Sequence, residues 1–204
     1  MSKDKYHHGN LKKELINKGL YLLNQDGYES FSFRKVAVMC GVSHAAPYKH
    51  FENKDQLIAE ITQEVANSFR ASLEEVLIRY PDDPKLQIIE MGKAYVRYMV
   101  ENPEYLKFIF LSSFNHIKSV KLTNNNFFYE EKTAFGVFYQ SATNYLKTLQ
   151  ISRDNWTLDI LTMWSLVHGI AVLITNHSIE YDGDYLELVE QMLQEKLTIF
   201  IENC

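Results

Sequence analysis

The sequence predicts an all-α protein in which an N-terminal three-helix domain with a helix-turn-helix precedes a larger C-terminal helical domain. Three observations favour this fold class. Apolar residues recur at helical spacing along the chain, two short helical segments are joined by a four-residue turn around residue 41, and the turn-rich sequence PDDP interrupts the chain at residues 81–84. We expect the first domain to cover residues 1–53 and the second residues 54–204, with helix 54–79 connecting them.

The first predicted helix is an amphipathic segment that precedes Gly27. Asn10 is a candidate N-cap, because its side chain can accept a hydrogen bond from a backbone N–H of the first turn. Gly27 is expected to end the helix, since glycine readily adopts the left-handed conformation that follows many helices. The apolar stripe consists of Leu11, Leu15, Ile16, Leu22 and Leu23.

The next two predicted helices form the helix-turn-helix. Ser32 can cap a helix over residues 33–40, Gly41 supplies a left-handed turn, and Ser43 can cap the third helix. Two helices of this length joined by a four-residue turn have the proportions of a DNA-binding helix-turn-helix. The spacing alone fits a helical hairpin that only packs equally well.

Pro47 falls in the first turn of this third helix. Its missing N–H removes at most the first intrahelical hydrogen bond, the one to the Ser43 carbonyl. We therefore predict that the proline shifts or tightens the opening turn and leaves Tyr48, Lys49 and His50 exposed in a rigid segment.

A long fourth helix is predicted to begin after Asn53, because Gln56 follows three residues later and completes a capping box. Beyond the break at residues 81–84 the apolar periodicity predicts five more helices. They cover residues 86–101, 104–111, 127–149, 153–179 and 184–202.

Charge is distributed unevenly along the 204 residues, whose formal net charge is −5. Residues 1–60 hold nine Lys/Arg against seven Asp/Glu, so the rest of the chain holds twelve against nineteen. The N-terminal quarter is therefore the part that is able to approach a polyanion.

Several classes of protein do not fit the composition. The chain has neither a run of 18 uninterrupted apolar residues nor a signal-peptide pattern, which predicts a cytoplasmic protein without a membrane partner. Cys40 and Cys204 have no CxxC partner, and the histidines lack metal-ligand spacing. We accordingly predict no disulfide framework, no metal site and no cofactor.

Residues 31–58, FSFRKVAVMCGVSHAAPYKHFENKDQLI, resemble the DNA-binding signature of the TetR family of transcriptional regulators. The resemblance includes the aromatic-x-His-Phe ending and the Asn-Lys-Asp-x-Leu start of the fourth helix. YHHGNL at residues 6–11 and the AAPY tetrapeptide are similar to the branch whose C-terminal domain carries a Trp-His-Gly signature, present here as Trp164, His168 and Gly169. This resemblance implies a dimeric repressor that binds a pseudo-palindromic operator and is released by a small effector.

The N-terminal residues divide into two kinds of DNA contact. Lys49 and Lys54 can neutralise phosphates, and Tyr48 can hydrogen-bond a phosphate oxygen. Short side chains near the start of the third helix can reach base edges, where an alanine methyl packs on a thymine methyl. Residues similar to Ser32 and Arg34 contact the DNA backbone in the family. The predicted DNA-binding residues are Ser32, Arg34, Ser43, His44, Ala45, Ala46, Tyr48, Lys49, His50 and Lys54.

The segment from Ile160 to Ile174 is apolar nearly all round, so it must be buried on several sides. Trp164 and His168 lie one turn apart on the same face. Two interpretations of His168 stay open: a core histidine bonded to a carbonyl, or a polar contact in an apolar pocket for a small, largely hydrophobic ligand. Most of the aromatic residues beyond residue 80 are expected in the core. The predicted ligand-binding residues are Tyr98, Phe108, Phe114, Phe138, Trp164 and His168.

The last two predicted helices are expected to form the dimer surface. Helix 184–202 carries two adjacent apolar stripes, too wide for a single contact within one chain, and two copies would make a four-helix bundle. The predicted interface residues are Val167, Leu186, Val189, Leu193, Leu197 and Phe200.

An enzyme is the weaker hypothesis. Ser165 and His168 have the i, i+3 spacing of a catalytic pair, but a serine within a helix has no free backbone N–H groups to form an oxyanion hole. The sequence also lacks a Gly-x-Ser-x-Gly elbow. We predict no catalytic residues. The remaining alternative is a non-enzymatic helical adaptor that binds only protein partners.

Overall fold

The computed structural model describes residues 11–111, 120–123, 126–149 and 156–202 of the chain, with side chains as far as Leu197 in the last helix. Asn10 and Phe114, together with the YHHGN part of the N-terminal motif, lie outside the described residues, as does the side chain of Phe200. The described residues form two compact units. The first comprises the residues up to Val65 together with those of the segment that starts at Lys107, and the second comprises the rest.

The first unit begins with α1 (Leu11–Ser30) and α2 (Phe33–Met39) and ends within α3 (Lys54–Arg79). Gly27 interrupts α1 with φ +73°, ψ 177°, where the sequence predicts the end of the first helix. The core of this unit includes Leu15, Val36 and Leu57, each 0% exposed. The division between the units falls inside α3, whereas the sequence places the domain boundary at residue 53.

The turn of the helix-turn-helix has the predicted Ser32 cap and left-handed Gly41, whereas the predicted Ser43 cap is wrong, because the next turn starts at Ala46 without a side-chain cap. The Ser32 side chain accepts a hydrogen bond from Lys35 N at 3.4 Å and so caps α2. Gly41 has φ +66°, the left-handed conformation that a residue with a Cβ adopts only at a cost. Val42 N donates to the Ala37 carbonyl at 3.0 Å, which closes the turn.

The third helix of the prediction is absent as an α-helix. Ala46 N donates to the Ser43 carbonyl at 2.9 Å, and residues Pro47–Lys49 form one turn of 3-10 helix. The reason is that Pro47 has no N–H to give that carbonyl an i+4 bond, so an i+3 bond replaces it. The predicted tightening of the turn is confirmed, whereas the predicted helix of seven to eight residues is not.

α3 begins as predicted. Gln56 N donates to the Asn53 side chain at 2.9 Å, and the Gln56 side chain accepts a hydrogen bond from Glu52 N at 2.5 Å. These two bonds satisfy backbone donors that a helix start leaves without partners. The helix then continues without interruption to Arg79.

The second unit is a bundle around α4 (Pro84–Glu101), which contacts α6 (Ala134–Thr148), α7 (Trp156–Thr175) and α8 (Tyr185–Glu202). Asp83 caps α4 by accepting from Leu86 N at 2.9 Å. Residues from all four helices are fully buried between them; they include Val96, Met99, Ala142, Leu146, Ile160 and Leu197.

Three parts of the second half differ from the predicted helices. The short helix α5 (Pro103–Leu106) continues as a π-helical turn, Lys107–Leu111, which contacts α1 within the first unit. The start of predicted helix 127–149 is instead strand β2 (Asn126–Phe128), paired antiparallel with β1 (Lys121–Thr123). α7 ends at Thr175 rather than at residue 179. Helical periodicity misses the hairpin because three-residue strands are too short to show alternation.

α7 is the helix, within the described residues, whose length and apolar composition would allow it to cross a membrane; its mean hydropathy reaches 1.7. Only 33% of the residues in its most apolar window are buried in this chain, although α4 and α6 both pack against the helix. An apolar face of α7 therefore remains uncovered in the single chain.

Candidate nucleic-acid interface and ligand site

The 3-10 turn presents its side chains to solvent. Tyr48 is 64% exposed, and Lys49 and His50 are also exposed. The Tyr48 ring packs edge-on against Phe33 with ring centroids 4.8 Å apart, and Phe51, 2% exposed, anchors the end of the turn in the core. This arrangement exposes a phenol and an ammonium group on a short turn that is anchored by Phe33 and Phe51, and their exposure agrees with the prediction.

The residues before the turn are divided between surface and core. Ser43, His44 and Ala45 are exposed and are accessible to a base edge. Ala46 is only 9% exposed, and Pro47 is buried beside it. The expectation that Ala46 contacts DNA is therefore corrected, because the 3-10 turn directs residue 46 into the core.

The three side chains predicted to contact the DNA backbone beside the turn differ in their surroundings. Arg34 is exposed on α2, whereas the Ser32 hydroxyl is already engaged as the cap of that helix. Lys54 lies over the Tyr28 ring, with Nζ 4.0 Å from the ring centroid and 3.5 Å from the Tyr28 carbonyl oxygen. The Tyr28 hydroxyl in turn donates to Asp55 at 2.7 Å. The cation–π contact fixes where the Lys54 charge lies.

Tyr95, which is not among the predicted ligand-binding residues, lies beside Trp164 and His168. The Tyr95 hydroxyl lies 2.9 Å from Nδ1 of His168, and Tyr95 is 3% exposed. The Trp164 indole also acts on the same hydroxyl and lowers its pKa. A phenol can donate or accept, so the tautomer of His168 decides which of the two groups donates in this hydrogen bond. Tyr95 precedes Tyr98 by three residues on the apolar stripe of α4, which is the signal that could have identified it.

Burial determines the protonation states of Tyr95 and His168. Burial raises the pKa of Tyr95 well above its ordinary value, and the Trp164 indole offsets part of that rise. Burial also lowers the pKa of His168. Both groups are therefore neutral at neutral pH.

An aromatic cluster adjoins Trp164. The rings of Trp164 and Phe135 have centroids 4.7 Å apart, and Phe135 is 5.1 Å from Phe127 and 5.2 Å from Tyr129. The cluster ties the hairpin to α6 and α7. Offset and edge contacts of this kind stabilise a core beyond the burial of area alone.

The other predicted ligand-binding residues are not all brought together. Tyr98 and Phe138 are buried in the same unit as Trp164 and His168. Phe108 is buried in the first unit, and Phe114 lies outside the described residues.

Most of the predicted dimer residues belong to the core of a single chain. Val189, Leu193 and Leu197 are 1%, 4% and 1% exposed, because α8 packs this stripe against α4 of its own chain. Val167 is 2% exposed, while Leu186 keeps part of its surface. The assignment of the four buried residues to an interface is corrected, since a second chain cannot reach them.

The accessible apolar surface lies on another face of α7. Leu158 is 61% and Leu173 is 42% exposed, and Thr162 and Ser165 between them are exposed as well. A Cβ added at Gly169 on this helix would meet no atom of the chain within 4 Å. This strip, which we call the α7 outer face, combines leucines with small residues that allow close approach of another helix.

Within the described residues no group of three or more His, Cys, Asp or Glu side chains is placed to hold a metal ion. Cys40 is buried and not in a disulfide, and burial raises its pKa to about 11, so it is not a reactive thiolate.

The family described as bacterial regulatory proteins, tetR family, matches residues 15–61, and the family described as tetracyclin repressor-like, C-terminal domain, matches residues 88–195. The second match alone covers more than half of the chain. This chain therefore belongs to the TetR family of transcriptional regulators. No curated protein matches its sequence.

Solved structures with similar folds cover nearly the whole chain at low identity. A Rhodococcus sp. RHA1 protein of unknown function has a TM-score of 0.68 and 20% identity, covering 98% of each chain. A TetR transcriptional regulator from Legionella pneumophila has a TM-score of 0.62 and 18% identity, covering 94% of this chain and 99% of its own. The TetR family regulator PfmR from Thermus thermophilus has a TM-score of 0.60 and 18% identity, covering 88% and 94%.

Family membership defines the general function. The protein is a DNA-binding transcriptional regulator with an N-terminal helix-turn-helix, and it is not an enzyme. Regulators of this family are soluble proteins that bind operator DNA, typically as dimers and with small-molecule effectors.

Proposed function

We propose that this chain is a dimeric, cytoplasmic repressor that a small, largely hydrophobic effector releases from a pseudo-palindromic operator. We also propose that it belongs to the family branch with a Trp-His-Gly signature in the C-terminal domain. The observation that carries the DNA-binding part is the rigid turn Pro47–Lys49, which exposes Tyr48 and Lys49 beside a closed helix-turn-helix.

In this proposal the turn binds the DNA backbone and the preceding loop reads bases. Lys49 neutralises a phosphate and Tyr48 donates to a phosphate oxygen. His44 and Ala45, both exposed, face base edges in the major groove. A 3-10 turn carries fewer side chains into the groove than a long recognition helix, so backbone contacts contribute a large share of the affinity.

The proposed dimer forms through the α7 outer face. A helix of such apolar composition that is only one-third buried in its own chain requires further cover in water. A second copy of the same face provides that cover, and Gly169 allows the two helices to approach closely.

Introducing positive charges on the α7 outer face tests the proposed dimer interface. Replacing Leu158 and Leu173 with Lys is expected to give monomers in light scattering, because two ammonium groups per chain would be buried in the interface. Ile78→Lys is the matched control, since Ile78 is an apolar residue 80% exposed on α3. An unchanged mass for the double variant would place the interface elsewhere, and dissociation of the control would show a nonspecific effect of charge.

The proposed effector site surrounds Trp164 and His168. It is supported by the polar chain that runs from Trp164 through Tyr95 to His168 inside apolar surroundings, which offers a few oriented polar groups to a hydrophobic ligand. The buried rings of Tyr98 and Phe138 contribute apolar surface to the same unit.

Release from DNA follows from differential affinity. Two recognition turns must lie about one helical turn of DNA, roughly 34–36 Å, or a near multiple apart to reach both half-sites. An effector that prefers a conformation with another separation shifts the population away from the DNA-competent state, and a tenfold preference contributes about 1.4 kcal/mol per site. The coupling is reciprocal, so operator DNA weakens effector binding by the same factor.

The experiment measures operator binding with and without each of a panel of small apolar compounds, for the wild type and for His168→Ala. We expect at least one compound to release the wild type from DNA. The variant is expected to need a higher concentration of it, while its operator affinity without the compound stays within a few-fold. A variant that responds as the wild type does would make His168 a core residue, and release by no compound would oppose an apolar effector.

A further inference from the structure

A cleft lies in the C-terminal unit beside the turn that joins α7 to α8. Its volume is about 760 Å³, within the range of roughly 300–1,000 Å³ that is usual for small-molecule sites. Neither Trp164 nor His168 lines it, so it is separate from the proposed effector site. Val100, Pro103 and Ile174 give it an apolar wall.

The turn that forms the other wall is unusual in its backbone. His177 has φ +52° at the end of α7, a position where glycine is the common residue. His177 N donates to the Ile174 carbonyl at 3.0 Å and Ser178 N to the Leu173 carbonyl at 2.9 Å, which is the hydrogen-bond pattern of a Schellman motif. The motif fixes the direction in which the chain leaves α7 and so defines this wall of the cleft.

Carboxylates dominate the charge of the cleft. Glu180 and Asp182 line it, and neither takes part in an ion pair within the described part of the chain. Glu101 and Asp184 act electrostatically on the hydroxyl of Tyr185, another lining residue, and raise its pKa in addition to the larger effect of burial.

Arg97 is the basic group that opposes these carboxylates at Tyr185, and His177 is the titratable base on the turn itself. Two lining carboxylates, with Glu101 and Asp184 close to the lining residue Tyr185 and one guanidinium opposing them, leave the cleft negative. A negative site lined partly by apolar groups attracts a cation and repels an anion.

Aromatic and hydroxyl groups complete the lining. Tyr181, 47% exposed, and Tyr185 present phenol rings to the cleft. The Thr175 Oγ1 atom is buried and has no hydrogen-bond partner among the described residues. A ring face attracts a cation.

We propose that the cleft between the end of α7 and the start of α8 binds a protonated organic amine that carries an apolar group. The ammonium group lies between Glu180 and Asp182 with the tyrosine rings beside it. The apolar group lies against Val100 and Ile174.

The probe is 2-phenylethylammonium, compared with 2-phenylethanol, which is similar in shape but neutral, and with 3-phenylpropanoate, which is an anion. Calorimetry or NMR titration of the full chain without DNA is expected to detect binding of the amine and to find the other two at least about tenfold weaker. Raising the salt concentration should weaken amine binding, because the cleft is open to solvent.

The variant Glu180→Gln/Asp182→Asn removes both lining charges without changing side-chain shape, and about a tenfold loss of amine affinity is expected. Asp82→Asn/Glu131→Gln is the matched control, with the same two changes at exposed residues that do not line the cleft. Its affinity is expected to stay within about twofold of the wild type. Tyr181→Ala should cost about two- to fivefold through the loss of one ring face.

The location of the amine is tested separately. His168→Ala is expected to leave amine binding unchanged, whereas loss of binding in that variant would place the amine in the other site. Equal affinity for the alcohol, an unaffected Glu180→Gln/Asp182→Asn variant, or no amine binding would each overturn the proposal. Because the measurement uses no DNA, its failure would not bear on the repressor function.

Discussion

Gly92 provides a direct test of how α4, α7 and α8 pack. A Cβ at this position would lie 2.5 Å from Cδ1 of Leu193 and 3.1 Å from Cγ1 of Val167. Both neighbours are core residues, 4% and 2% exposed, so neither can move into solvent. Gly92→Ala is therefore an overpacking change, which typically costs about 1–3 kcal/mol.

A gain in helix propensity opposes this cost. Replacing glycine with alanine inside a helix stabilises by about 0.5–1 kcal/mol, because the unfolded chain loses less entropy on folding. The net effect expected for Gly92→Ala is a loss of about 0.5–2 kcal/mol of unfolding free energy. Gly169→Ala is the control: its Cβ meets nothing within 4 Å in the chain, so only the propensity gain remains.

Urea unfolding followed by tryptophan fluorescence measures the effect in the relevant unit, because both tryptophans of the chain, Trp156 and Trp164, lie on α7. Both glycine changes are best made in the Leu158→Lys/Leu173→Lys background, where no second copy is expected to cover Gly169. A Gly92→Ala protein as stable as its parent would refute the packing of α8 on α4. A destabilised Gly169→Ala protein would show that the outer face of α7 is covered within its own chain.

Three further predictions concern charge and pH. Lys49→Ala should weaken binding to all duplexes about equally and reduce the slope of log affinity against log salt concentration by about 0.9, because one phosphate contact is lost. A loss of affinity for only one DNA sequence would contradict a phosphate contact. Burial lowers the pKa of His168 in the folded state, so its contribution to stability is complete above the unfolded pKa of about 6.5 and is lost as the pH falls towards the folded value. In the His168→Asn variant the free energy of unfolding should therefore depend less on pH below 6.5. An unchanged pH dependence would show that His168 does not resist protonation. The Lys93 side chain is 15% exposed, and its Nζ lies 2.6 Å from Glu190 and 2.8 Å from Glu90. Lys93→Met should lower the free energy of unfolding in urea by about 1–3 kcal/mol, because two carboxylates are left facing each other. Adding Glu190→Gln should recover part of this loss, and no recovery would exclude this cause.

The local signals in the sequence identify the helix-turn-helix well. Ser32, Gly41 and the pair Asn53 and Gln56 are caps whose geometry depends on neighbours within four residues, and the structure has each of them in its predicted role. Pro47 is read correctly as a tightening of the turn, but the local pattern does not predict the resulting 3-10 geometry. That geometry places Ala46 in the core.

The parts that the sequence could not predict depend on long-range packing. An apolar stripe shows that a residue is buried but not whether its own chain or a second chain covers it, so the sequence assigns Leu193 and Leu197 to an interface although α4 covers them. Tyr95 is separated from His168 by 73 positions, and no pattern within α4 indicates that hydrogen bond. The hairpin at residues 121–128 is similarly held by aromatic contacts to α6 rather than by its own short strands.

In the proposed complex two copies of the turn Pro47–Lys49 bind a two-fold symmetric operator. The measurement is footprinting of the protein on duplexes selected from a random pool, for the wild type and for Tyr48→Phe/Lys49→Ala. We expect two protected half-sites related by two-fold symmetry, with centres about 34–36 Å or a near multiple apart, and much weaker protection by the variant at the same protein concentration. Enrichment of no sequence, protection of a single unsymmetrical site, or equal protection by the variant would contradict it.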